Sequence, residues 1–198
     1  DASGGQPFAG EVLVEGNRIR AVARDGAQVN REGARIVDGG GATLMPGLIE
    51  SHMHCSFLDT DSLEALGFVP VEEHTLRAMQ NAKKFLDQGF TAGCSAAAAK
   101  PRLDIVIRNA INAGDIPGPR MLACTPELTV SSGLGDVRLA HMHRDTFALI
   151  CDGADEFRKV SRELVREGVD TLKIKFNNVL GYFIEVTPRH VEKISDDA

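Results

Sequence analysis

Three stretches of helical periodicity are each closed by a glycine, and an apolar run follows each of them after a short interval. The first covers about 71–88, stops at Gly89 and gives way to Phe90-Thr91-Ala92-Gly93-Cys94-Ser95. The second covers about 102–113, stops at Gly114, and reaches Met121-Leu122-Ala123-Cys124 through the turn Pro117-Gly118-Pro119-Arg120. The third covers about 154–167, stops at Gly168 and leads into Val169-Asp170-Thr171-Leu172-Lys173-Ile174-Lys175. Glycine tolerates the left-handed backbone in which many helices end. Short apolar runs between such stops suit buried strands. Strands separated by a helix each time are what a parallel sheet demands, because its crossovers need that much chain. The pattern therefore predicts an α/β fold and argues against an all-helical or all-β chain. The apolar faces are predicted at Leu76, Met79, Ala82, Phe85 and Leu86 with Lys83 among them, then at Val106, Ala110 and Ile111, then at Phe157, Val160, Leu164 and Val165.

The first 45 residues read differently. Residues 11–15 and 18–23 flank Gly16-Asn17 and predict a β-hairpin. Arg35-Ile36-Val37-Asp38 is expected as a third strand, closed by Gly39-Gly40-Gly41. At 198 residues the chain has room for one domain plus a small appendage. A net charge of -6 argues against general binding of nucleic acid through a basic surface. No apolar run approaches the roughly 18 residues of a membrane span, and no signal peptide is visible. Cys55, Cys94, Cys124 and Cys151 form no C-x-x-C and read as reduced thiols, which predicts a cytoplasmic setting.

One further stretch carries chemistry. In Thr43-Leu44-Met45-Pro46-Gly47-Leu48-Ile49-Glu50-Ser51-His52-Met53-His54, Pro46-Gly47 breaks the chain and a buried strand is expected to follow. A strand has period 2, so His52 and His54 point the same way. Two neutral imidazoles on one face can grip one metal ion, zinc first by donor type. The same spacing also suits two half-exposed histidines at a strand end. His141-Met142-His143 is a second H-x-H, but no strand delivers it, and it reads as a surface loop or helix start. In the fourth predicted strand Thr171, Lys173 and Lys175 share one side, and Leu172 and Ile174 the other. A lysine on the inner side is costly as ammonium, and its neutral amine can add carbon dioxide to give an anionic carbamate. A lysine snorkelling from a strand end fits the same residues.

The stretch Met45-Pro46-Gly47-Leu48-Ile49-Glu50-Ser51-His52-Met53-His54 resembles the signature of the amidohydrolase superfamily, with Glu50 where aspartate is usual. Phe90-Thr91-Ala92-Gly93 and Ile116-Pro117-Gly118-Pro119-Arg120-Met121 resemble its later motifs, in the manner of its prolidase-like and imidazolonepropionase-like members. The resemblance covers about 10–174. It implies a partial (β/α)8 TIM barrel of about four βα units, with an N-terminal β-sandwich portion. The implied divisions are 1–45 for the sandwich portion, 46–175 for the first half of the barrel and 176–198 for a divergent tail. It also implies one or two divalent metals, zinc first, held by His52, His54 and a carboxylated Lys173, with Lys175 as runner-up. Many relatives carry a histidine near Leu134. The implied reaction is hydrolysis of amide-type C–N bonds in a small substrate such as a dipeptide or an N-acyl amino acid, by water activated at the metal. The proton-shuttle aspartate of such enzymes is expected beyond residue 198. The chain is therefore expected to act as an incomplete fragment, inactive unless a partner chain, as in a homo-oligomer, completes the barrel.

A second resemblance covers about 171–187. Thr171-Leu172-Lys173-Ile174-Lys175-Phe176-Asn177-Asn178-Val179-Leu180-Gly181-Tyr182-Phe183-Ile184-Glu185-Val186-Thr187 is similar to a segment of the MutS family of DNA mismatch-repair proteins. It implies the alternative of a non-enzymatic or DNA-repair module. No Walker A motif accompanies it.

Overall fold

Alternating residues around Gly16-Asn17 fold back on themselves as strands β1 (Gly10–Glu15) and β2 (Arg18–Arg24), paired antiparallel. Gly16 has φ +60°, the left-handed backbone that tight hairpin turns require. The structure is a computed structural model that describes residues 4–58, 60–138 and 146–172. It comprises two units, Asp1–Pro46 and Gly47–Ala198. In the first, the Glu11 carboxylate accepts the Val29 N–H at 3.3 Å and pairs with Arg31, which fastens the following segment to the hairpin. The strand expected at 35–38 does not form. Ile36 and Val37 are exposed, and these residues have no ladder partner among the described residues. A strand is stable only where a neighbour satisfies its N–H and C=O groups.

The second unit holds the α/β pattern. Strands β3 (Leu48–Met53), β4 (Phe90–Ser95) and β5 (Arg120–Leu122) form a parallel sheet in that order. The short helix α1 (Ala65–Phe68) and helix α2 (Val71–Asp87) connect β3 to β4, and α3 (Leu103–Ala113) connects β4 to β5. Two residue pairs, β6 (Leu128–Thr129) and β7 (Leu149–Ile150), align in parallel before α4 (Ala154–Arg166). Residues 125–153 lacked regular pattern in the sequence, and strands of two residues are too short to show one. The result is a partial parallel sheet with flanking helices, an incomplete barrel-like arrangement. Among the described residues the strands do not close on themselves.

The sheet packs against α2 and α3 through Met53, Cys55, Ala78, Ala82, Leu103, Ile107 and Met121. Gly93 makes this possible on β4, since a Cβ there would lie 2.7 Å from Met53 Sδ. Helix α2 ends as expected, with Gly89 at φ +92°. Its buried face differs from the expected one. His74, Ala78, Asn81 and Ala82 are buried, with Met79 and Phe85 packed beside the core, while Leu76 is 59% exposed. Small alanines let the helix approach the sheet, and His74 and Asn81 face inward because the loop after β3 offers them carbonyl partners. On α3 the core face is Leu103, Ile107 and Ile111, and Val106 points outward. On α4 the expected face holds: Leu164 is buried, and Phe157, Val160 and Val165 pack around it.

Strand β3 was expected to be buried and is not. Its only neighbour among the described residues is β4, and Leu48 and Ile49 are exposed, whereas Met53 is buried. The fourth predicted strand is described only to residue 172 and takes no strand pairing over 169–172. It does run beside β5: the N–H groups of Asp170 and Thr171 both donate to the Ala123 carbonyl, at 3.0 and 3.2 Å. Leu172 packs toward Leu164 of α4.

Candidate functional site

Parallel βα units converge their strand ends on one side, and it is there that the chemistry-bearing residues of this chain gather. His52 is the penultimate residue of β3 and His54 the first beyond it. Their ring centroids lie 4.9 Å apart in an edge-on arrangement. Two imidazoles bound to one tetrahedral ion have centroids about 5 Å apart, given metal–nitrogen bonds of about 2 Å. The spacing is that of an edge-on ring contact and is also compatible with one shared ion. His52 is exposed, and His54 is half-buried and stacked on Phe57 at 4.5 Å between centroids. Both line a cleft of about 130 Å³, with Ala96 and Ala97 on its floor, Phe57, Leu134 and Phe147 as apolar walls and Glu127 contributing a carboxylate. Leu134 thus lines the cleft. A larger hollow of about 330 Å³ lies between α3 and α4, but its lining includes neither imidazole nor thiol.

The His54 ring is oriented by the backbone. Its Nδ1 lies 3.1 Å from the Ala97 carbonyl oxygen. A carbonyl can only accept, so Nδ1 carries the hydrogen, and the lone pair of the neutral ring sits on Nε2. This is the tautomer that presents Nε2 to a ligand. The loop that follows is held by three buried groups. His74 Nε2 donates to the Ser56 carbonyl at 2.6 Å, Asn81 Nδ2 donates to the Cys55 carbonyl at 3.0 Å, and Ser56 Oγ accepts the Ala99 N–H at 2.8 Å. Burial lowers the affinity of His74 for a second proton, aided by the positive charges of Lys100 and Arg77 and opposed by its bond to Ser56. Cys55 is fully buried, and desolvation together with the charge of Asp104 pushes its thiol up to about 12, which removes it as a nucleophile.

Beneath the cleft lies a carboxyl that the sequence reading did not single out. Asp104, in the first turn of α3, is fully buried. Ser95 Oγ and the Cys124 N–H donate to it, and its Oδ1 has no partner among the described residues. Burial pushes its pKa up to about 7 despite those two bonds. The available signal was a polar residue within an otherwise apolar stretch, Leu103-Asp104-Ile105-Val106-Ile107. His74 and Asn81 on α2 carry no such signal, since a polar residue adjoins each of them.

The residues expected as ligands fall into two groups. His52 and His54 are brought together, whereas Lys173, Lys175, His141 and His143 lie outside the described residues. Among the described residues no group of three or more His, Cys, Asp or Glu side chains is placed to hold a metal ion. The two imidazoles are suited to a divalent ion by donor chemistry, and would supply two of the three or more protein ligands such an ion takes. No helix among the described residues is long and apolar enough to cross a membrane.

Residues 43–198 match the model of the Amidohydrolase family. A solved prolidase complexed with N-methylphosphonate-L-proline is 25% identical, with a TM-score of 0.71, over 83% of this chain and 41% of its own. An imidazolonepropionase of Anaeromyxobacter sp. (strain K) is 45% identical over 49 residues, 23% of this chain and 12% of that protein. The chain thus spans about two-fifths of the solved relative, and still less of the curated one. The MutS resemblance finds only short matches. A DNA mismatch repair protein MutS of Cereibacter sphaeroides is 70% identical over 27 residues, which is 14% of this chain and 3% of that protein. Such a stretch does not support the MutS family for this chain, whereas the Amidohydrolase match runs to residue 198.

Proposed function

Because this chain belongs to the amidohydrolase family, we propose that its protein is a metal-dependent hydrolase of amide-type C–N bonds in small substrates, dipeptides first. The observation that carries the proposal is the placement of the His52 and His54 rings 4.9 Å apart, at the end of a parallel strand and over one cleft. The likeness to a prolidase complexed with a proline phosphonate favours a dipeptide-like substrate. In this reading His52, His54 and Lys173 hold a divalent ion, zinc by donor type, with Lys173 as its carbamate. A bound ion would supply Lewis acidity for activating water. The chain's own residues do the rest. The Ala97 carbonyl holds the His54 hydrogen on Nδ1, which keeps Nε2 in the ligating form. Phe57, Leu134 and Phe147 present an apolar wall to a substrate side chain and keep bulk water from the cleft. Ala96 and Ala97 keep the floor flat because they carry no side chain beyond Cβ.

The test is metal content and turnover together. Zinc bound per chain, measured after dialysis with bicarbonate present, is expected to fall to background in the His52→Ala, His54→Ala double variant. Any hydrolysis of a panel of dipeptides and N-acyl amino acids that the wild type shows should fall with it. Unchanged zinc content in the double variant would overturn the assignment of the ligands.

A further inference from the structure

The segment Ser95-Ala96-Ala97-Ala98-Ala99 leaves β4 and passes beneath the cleft, and every one of its residues is buried. Alanines have no side-chain polar groups, so the position of this segment is set by what its backbone and Ser95 reach. The Ala96 N–H donates to the Met53 carbonyl at 2.8 Å, between the two histidines in sequence. The Ala98 N–H donates to the Thr125 carbonyl at 2.9 Å, and the Ala99 N–H to Ser56 Oγ at 2.8 Å. The Ala96 carbonyl receives the Cys124 thiol at 3.7 Å. That leaves the Ala97 carbonyl to meet His54 Nδ1. At the head of the segment the Ser95 hydroxyl donates to Asp104, and Asp104 also takes the Cys124 N–H just beyond β5.

Asp104 therefore ties the end of β4 to the end of β5 from below, through a carboxyl with no solvent to compete for it. We propose that Asp104 is a positioning residue: through Ser95 it holds the Ala96-Ala97 backbone at the height where the Ala97 carbonyl selects the Nδ1–H tautomer of His54. This proposal rests on the metal-ligand reading of His54 for its functional meaning, but its structural content is a property of the metal-free chain. A carboxyl at this position costs desolvation that a leucine would not incur, so its presence calls for a gain elsewhere. Held by two donors, it also rigidifies two adjacent strand ends, which is where ligand geometry has to be exact to a few tenths of an ångström.

The test uses the whole 198-residue chain without metal, at a pH where imidazoles are neutral. Nitrogen-15 chemical shifts and two-bond ring correlations report which nitrogen of His54 carries the hydrogen. Wild type and Asp104→Asn, which keeps an oxygen acceptor for Ser95, are expected to show predominantly the Nδ1–H form. Ser95→Ala and Asp104→Leu are expected to show a mixture of tautomers, and zinc affinity by chelator competition is expected to fall about tenfold. A folded Ser95→Ala chain with the His54 tautomer unchanged would overturn the proposal and leave Asp104 with a structural role alone. Ser95→Ala decides the matter even where Asp104→Leu fails to fold, since it removes one hydroxyl from a site that accommodates alanine. A wild type that binds no zinc while its variants still shift tautomer would sink the metal reading and keep the positioning one.

Discussion

Arg108 of α3 and Asp170, beyond α4, form an ion pair in which both side chains are largely buried, at 14% and 24% exposure. The same Asp170 oxygen accepts the Ala123 N–H at 2.8 Å, and Arg108 also donates to the Gly168 carbonyl at 3.0 Å. One carboxylate thus joins a helix, the end of β5 and the segment that runs alongside it. Asp170→Ala takes the charged partner from Arg108, which keeps its bonds to Gly168 and Asn109, and leaves the Ala123 N–H unmet, so a loss of about 2–4 kcal/mol is expected in denaturant unfolding. Arg108→Met leaves the Ala123 bond intact and should cost less. The double variant should lose less than the sum of the two, because the residues share partners.

Asp104 makes stability depend on pH in the sense opposite to most carboxylates. Its pKa is about 7 in the folded chain against an ordinary 3.8. Between those values the folded chain holds a proton that the unfolded chain has released. Stability should therefore fall as pH rises from about 4 to about 7, by at most about 1.4 kcal/mol per pH unit, and level off above. Asp104→Asn removes the titration, so the difference between variant and wild type in chemical denaturation should narrow or reverse across that window. A difference independent of pH would contradict the shift. Cys55, the other titrating group against Asp104, stays a thiol throughout.

His74 acts in the other direction. Its Nε2–H is committed to Ser56, and its buried Nδ1 has no acceptor among the described residues to meet a second proton. The folded chain therefore binds that proton less well than the unfolded one, whose histidine titrates near 6.5. Its contribution is fully present above that value and is lost as pH falls through the lower folded value. Unfolding midpoints of wild type should drop on acidification below 6.5 more steeply than those of His74→Gln. Parallel curves for the two would refute the assignment.

The alternation of β3, α2, β4, α3 and β5, the helix stops at Gly89, Gly114 and Gly168, the hairpin across Gly16-Asn17, the core face of α4 and the H-x-H at a strand end were legible in the sequence by itself. Each is a property of a short window, in which period and capping act between residues a few positions apart. Tertiary structure decided which face of α2 turns inward, that β3 is exposed, and that residues 35–38 lack a partner. It also decided that Asp104, His74 and Asn81 are buried. Asn81 and His74 look like surface residues until the carbonyls of Cys55 and Ser56, 26 and 18 positions away, arrive to accept their hydrogens. Burying a polar group is unfavourable alone and favourable only with its partner. That partner is brought by the packing of other elements, so the buried network beneath His54 exists only once the strands and helices have met.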